Sequence, residues 1–142
     1  RVEDGASMAD AWQHGPKTYL GLMVAGFPNL FTITGPGSPG VKSQMILSIE
    51  QHVDFIAGCL QHMRSRGIIQ VEAEPAAEQA WVSHVKAVAD STLYPLANSW
   101  YMGANIPGKP LVFMPYVGGV DAYKKECDEI VADGYKGFSF AS

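Results

Sequence analysis

Cysteine is scarce in this chain: Cys59 and Cys127 are the only two among 142 residues, and each sits on a helical pattern far from the other. That usage reads as two buried free thiols and not as a disulfide framework. Basic residues are sparse as well. Ten Lys and Arg against fourteen Asp and Glu leave a net charge of -4 with no basic stripe, which argues against nucleic acid as a partner. No apolar run approaches the roughly 18 residues of a membrane span, and no charged, apolar and small-residue succession marks a signal peptide. A soluble, cytoplasmic protein without a membrane partner is the expectation. The four histidines, His14, His52, His62 and His84, lack ligand spacing, so no metal is indicated. There is no G-x-S-x-G elbow, no Cys/His nucleophile signature, no internal repeat and no low-complexity segment. The carboxylates fall mostly on exposed helical positions, as in Glu72, Glu74 and Glu78 or Asp128 and Glu129.

What is present is a hydrophobic content of 47%, enough for the core of one domain or of part of a larger one. The chain begins with Arg1 and its first ten residues are polar and small, which reads as a start inside a longer gene. The most informative stretch runs from Leu30 to Ser43, where an apolar run breaks into a Gly/Pro loop that opens an amphipathic helix. Strand, loop, helix is the expected order. Gly35, Gly37 and Gly40 satisfy G-x-G-x-x-G, and Val41 between Gly40 and Lys42-Ser43 spoils a P-loop by one residue. Pro36 and Pro39 lack the N–H groups that a phosphate cradle needs, and no acidic residue follows at the distance a dinucleotide site requires. What survives is a glycine-lined helix start that favours negative charge.

Ile46, Ile49, Val53, Ile56, Leu60 and Met63 recur at steps of three and four, which predicts one apolar stripe along a helix capped by Ser43 and ending near Gly67. His52 and Cys59 lie beside that stripe and read as packed core-edge residues. Residues 68–72 suggest a short strand or connector. Pro75 opens a second helix with Trp81, Val85 and Val88 inward. Between Leu93 and Gly119, four prolines and four glycines interrupt a segment rich in aromatics, among them Trp100, Tyr101, Phe113 and Tyr116. Such a long irregular loop either pins itself to the core or covers a ligand. Val120, Tyr123, Cys127 and Ile130 give a third helical stripe that stops at Gly134, and Phe138 alternates with Phe140 as a terminal strand.

Several motifs agree with one family. Gly15-Pro16-Lys17-Thr18-Tyr19-Leu20-Gly21, Gly26-Phe27-Pro28-Asn29-Leu30-Phe31, the Gly35–Pro39 turn and Ile49-Glu50-Gln51-His52-Val53 resemble the C-terminal part of type I Baeyer-Villiger monooxygenases. The stretch from Trp100 to Pro110, with Phe113-Met114, Tyr116-Val117-Gly118-Gly119 and Cys127-Asp128-Glu129, is similar to the cyclohexanone and phenylacetone monooxygenase branch in order and spacing. The resemblance covers about Trp12 to Phe140.

It implies an α/β fold: the C-terminal part of a Rossmann-like FAD-binding domain in a flavoprotein with two dinucleotide-binding domains, incomplete on its own. Residues 1–14 would be a lead-in or linker, and 15–142 the FAD-domain portion with a control loop at 93–119. The implied activity uses NADPH and O₂ to convert cyclic or aryl ketones to esters or lactones through a flavin C4a-peroxide, so that the hard chemistry belongs to the cofactor. FAD and NADPH are the implied cofactors. Ser43, Gln44 and Met45 would meet the flavin ring, Trp100 would cover NADP, and Gly40, Val41, Lys42 and Ser43 would line the substrate pocket. Lys42 departs from the apolar residue usual there, and Leu111 from the usual Arg. The family's two nucleotide-binding fingerprints, its signature motif and its active-site Arg have no counterpart in these residues, so this chain alone is expected to be inactive and to need the upstream remainder of its polypeptide. Two alternatives stand beside this one: an N- or S-oxygenating flavin monooxygenase, and a non-catalytic interaction domain.

Overall fold

Two short strands far apart in the chain tie its halves together. In the computed structural model, which describes residues 5, 7–40, 44–93, 102, 107–108, 110 and 112–142, the elements run α1 (Met8–Ala11), α2 (Met45–Arg66), β1 (Gln70–Ala73), α3 (Pro75–Asp90), α4 (Val120–Ala132) and β2 (Phe138–Ala141). β1 and β2 pair antiparallel, with Gln70 opposite Ala141 and Ala73 opposite Phe138. Val71 and Ala73 point into the core from one strand and Phe138 from the other, as period-two alternation requires.

Punctuation residues fall where local chemistry puts them. Gly67 ends α2 in the left-handed conformation at φ 67°, and Ile68 N–H closes back on Met63 O, while Arg64 and Arg66 complement the dipole in the last turn. Pro75 opens α3, with Glu78 in its first turn. α4 stops at Asp133, followed by Gly134 at φ 75°. Within residues 1–14, Ser7 and Asp10 form a capping box on the single turn of α1.

The strand expected at Leu30–Ile33 is absent. Phe31 makes only an isolated bridge to Met23. Left-handed turns at Asn29 (φ 60°) and Thr34 (φ 53°) bound these four residues and leave no room for a ladder. Instead Asn29 itself borders β1: its N–H donates to Val71 O, its side chain accepts from Val71 N–H, and its Nδ2 donates to Ile69 O. Residues 16–40 form an irregular layer against the helices, contributing Tyr19, Leu20, Leu22 and Met23 to the core.

α2 also turns a different side inward than its stripe predicts. The buried row is Ser48, His52, Phe55, Cys59 and Met63, whereas Ile46, Ile49, Val53 and Leu60 are exposed and Ile56 is half-buried. Complementary partners decide this. Phe55 packs edge-on to Tyr135 and against Phe138, and His52 bonds Tyr123 on α4. α3 and α4 behave as their periodicity predicts, with Trp81 and Val85, then Tyr123, Cys127 and Ile130, buried. Cys59 and Cys127 are free and buried, and burial pushes both thiols up to about 11.

Candidate functional site

The Gly/Pro loop is held from three sides. Thr18 Oγ1 donates to Pro36 O and accepts from Gly21 N–H at 2.9 Å. Trp81 on α3 donates its indole N–H to Gly37 O at 3.1 Å. The segment after the long loop zips onto the other edge: Gly37 N–H to Met114 O at 2.6 Å, Tyr116 N–H to Ser38 O at 2.8 Å, and Gly40 N–H to Tyr116 O at 3.2 Å. Space is tight enough to demand glycine. At Gly21, with φ 74°, an added Cβ would lie 2.6 Å from Ser38 Cβ.

This bonding accounts for every backbone donor of a loop that its two prolines already leave poor in them. Gly35 N–H goes to Gly21 O and Ser38 N–H to Gly35 O, so with Gly37 and Gly40 every N–H of residues 35–40 is spent inside the protein. The two prolines supply none. A phosphate cradle needs free donors, and this turn has none to give.

The helix start lies further on. α2 starts at Met45 with Gln44 as N-cap, one residue later than the expected Ser43, and the Gln44 side chain makes no capping hydrogen bond. The first turn carries no acidic residue, and Met45, Ile46 and Leu47 are exposed. The backbone N–H groups of a first turn have no intrahelical acceptor, so this helix start is electropositive and flanked by exposed apolar side chains. Among the expected site residues, Gly40 and Gln44 flank one short segment, Gly40 anchored to Tyr116 and Gln44 leading α2. Val41, Lys42 and Ser43, and Trp100 of the expected NADP contact, lie outside the described residues. Of the loop aromatics, Tyr116 is pinned to the core, stacked on His84 and against Trp81.

Behind the helix start lies a buried polar relay. Thr34 N–H donates to His52 Nδ1 at 2.9 Å, His52 Nε2 meets Tyr123 Oη at 2.9 Å, and Tyr123 O–H donates to Leu20 O at 2.5 Å. Since Nδ1 accepts a backbone N–H, the proton sits on Nε2 and the imidazole is neutral. Burial agrees, holding the His52 pKa down to about 4. The two backbone groups at the ends belong to Thr34 and Leu20, both at positive φ. A chain from α4 through α2 therefore fixes two strained residues on either side of Thr32, whose Oγ1 and N–H bond Gly21 O and Leu22 O.

No protein-family model matches the chain. Individual proteins do. It is 39% identical over 142 residues to the acetone monooxygenase (methyl acetate-forming) of Gordonia sp. (strain TY-5), covering 99% of this chain and 27% of that protein. It is 33% identical to the phenazine N-monooxygenase of Lysobacter antibioticus, over 97% of this chain and 25% of the other. The crystal structure of cyclohexanone monooxygenase from Rhodococcus sp. Phi1 bound to NADP+ superimposes on all of this chain and 26% of its own, at a TM-score of 0.94 and 34% identity. Over its whole length the chain is homologous to about a quarter of proteins named as Baeyer-Villiger and cyclohexanone monooxygenases.

It spans about a quarter of the length of the curated relatives it matches, and its mixed helix and strand architecture corresponds to the C-terminal part of flavin monooxygenase structures. Within this segment of the family fold, sequence reasoning missed the relay and the Asn29 border. A signal existed for the first: Ser48, His52, Phe55, Cys59 and Met63 also recur at steps of three and four, a second helical row less apolar than the one beside it. An apolar cleft of about 180 Å³ runs between α3 and residues 112–114, walled by Trp81, Val85, Ala89, Val112 and Met114, with the Lys86–Asp90 ion pair at its rim. Met102 of the expected control loop also lines it. No helix among the described residues is long and apolar enough to cross a membrane.

Proposed function

We propose that this chain is the C-terminal portion of a longer flavoprotein of Rossmann-like, two-dinucleotide-binding-domain type, which uses NADPH and O₂ to convert ketones to esters or lactones. The observation that carries the reading is the match of the whole chain to ketone-oxidising monooxygenases at 34–39% identity, with a TM-score of 0.94 to a cyclohexanone monooxygenase. Bound FAD would supply the oxygen-activating chemistry, and the protein its binding, orientation and electrostatics.

The residues present fit a flavin ring at the start of α2. A helix N-terminus whose N-cap side chain makes no capping hydrogen bond, and with no carboxylate in its first turn, would stabilise the negative charge a reduced ring carries on its pyrimidine edge, and the exposed Met45 would offer an apolar contact. Gln44 and Met45, with Ser43, are the assigned flavin contacts. Gly40, Val41, Lys42 and Ser43 are assigned to the ketone pocket, their first member fixed by Tyr116 O. Trp100 is assigned to cover NADP, its loop entering and leaving beside the apolar cleft. Clamping residues 35–40 on three sides fixes the Gly40 end of this wall, where a held boundary would help to position the ketone.

The test is turnover by the longer polypeptide. Ketone-stimulated NADPH oxidation with ester or lactone detected by mass is the expected result; NADPH oxidation with no oxygenated ketone product would sink the reading. The similarity to a phenazine N-monooxygenase supports a second reading, oxygenation at nitrogen. A heteroaromatic N-oxide formed in preference to lactone from the same enzyme would select it.

A further inference from the structure

α2 is apolar over roughly half of its circumference, yet this chain covers only about half of that arc. Turning from the buried row of Ser48, His52, Phe55, Cys59 and Met63, the next positions are Ile56 and Ile49, then Leu60, Val53 and Ile46. Ile46 is 69% exposed, Leu60 50% and Val53 46%. Beyond them the polar row of Glu50, Asp54 and Gln61 begins. The uncovered stripe is therefore bounded on one side by this chain's own core and on the other by solvated residues. From Ile46 to Leu60 it runs about 21 Å at 1.5 Å per residue, a strip as long and as narrow as one packed helix or strand.

We infer that this stripe is an internal interface, seated on an apolar element from the three-quarters of the polypeptide that the relatives have and this chain does not. The inference rests on the proposed reading of the chain as one portion of a longer flavoprotein. Aliphatic side chains at helical spacing are retained on a surface when something packs on them, and a contiguous exposed patch of this kind marks an interaction site. A second copy of this chain fits poorly. The exposed parts of five aliphatic side chains amount to a few hundred Å², short of the about 800 Å² per partner that a stable interface buries. The relatives supply a fitting occupant, since each is about four times as long as the segment matched here. The stripe also begins at the helix start assigned to the flavin, so the element that covers it would fix α2 against the rest of the cofactor site. The surface holds the helix in place and takes no part in the chemistry.

Thiol labelling decides it. Val53→Cys and Leu60→Cys report the stripe, and Gln61→Cys the solvated face of the same helix. In the longer polypeptide, alkylation by iodoacetamide, read site by site by peptide mass spectrometry, is expected to be at least about tenfold slower at positions 53 and 60 than at 61. Comparable rates at all three positions would overturn the inference. So would the same protection in the 142-residue chain alone together with a dimeric mass by light scattering, because the occupant would then be a second copy. Ketone turnover by the unsubstituted polypeptide is read separately. Protection without turnover would leave the interface standing and remove the functional reading, and turnover without protection would do the reverse.

Discussion

The two long faces of α2 differ in a direction that hydrophobicity would not suggest. The face toward this chain's core carries a serine and a histidine among Phe55, Cys59 and Met63, while the face beside it carries three isoleucines, a valine and a leucine and lies largely in solvent. The less apolar row wins because its partners are specific. Phe55 meets Tyr135 and Phe138, and His52 finds one donor and one acceptor in a site that excludes water. A row of aliphatics offers area and no direction, so it can be satisfied by any apolar neighbour, including one that another part of a polypeptide supplies.

Breaking the inward face should have the largest effect. Phe55→Ala should cost about 3–5 kcal/mol of unfolding free energy in urea titration, because the site is bounded by rings that cannot collapse into the space. A loss under about 1 kcal/mol would mean that Phe55 is not the anchor described here. Tyr123→Phe removes one hydroxyl and leaves both the His52 N–H and the Leu20 carbonyl buried without a partner, for an expected loss of about 1–3 kcal/mol. An unchanged urea midpoint would contradict the relay.

The same relay makes stability depend on pH in a defined window. His52 is held neutral in the fold down to about pH 4, whereas an unfolded histidine takes up its proton near 6.5, so the unfolded state binds more protons between those values. The contribution is complete above about pH 6.5 and is lost as pH falls toward 4, by roughly 1–3 kcal/mol. A level stability profile across that window in the parent chain, or a slope that survives in His52→Gln, would argue against a neutral buried imidazole. The outward face should respond least. Ile46→Ser is expected to shift the stability of this chain by no more than about 0.5 kcal/mol, as exposed substitutions do. A cost of 2 kcal/mol or more would show that the stripe is already covered, and the contrast between the faces would vanish.

Much of this was readable from local chemistry. Gly67, Pro75 and Gly134 mark helix boundaries because backbone conformation and missing donors act over one or two residues, whatever surrounds them. Phe138 and Phe140 announce β2 by alternation. The Leu30–Ile33 run misled because a four-residue apolar segment is compatible with a strand only if a neighbour offers a ladder, and here Asn29 and Thr34 turn the chain on either side. At the site, sequence reasoning located the start of α2 to within one residue, with Gln44 and not Ser43 as the cap. It also read residues 35–40 as poor in donors, without showing that the remaining N–H groups are all spent on Gly21, Gly35, Met114 and Tyr116. Those acceptors lie up to 77 positions away, and no local pattern shows that they are within reach.

The sequence by itself determined where α2, α3 and α4 begin and end, to within a residue, which family motifs the chain carries, and that α2 bears an apolar stripe. Periodicity is a property of one element and needs no partner to be expressed. Which row turned inward, which carbonyls took the loop's donors and which tautomer His52 adopted were decided by the tertiary structure, because each is a choice among contacts between residues distant in the chain. The core had one geometry that satisfied Thr34, His52, Tyr123 and Leu20 together, and the aliphatic stripe was left facing out.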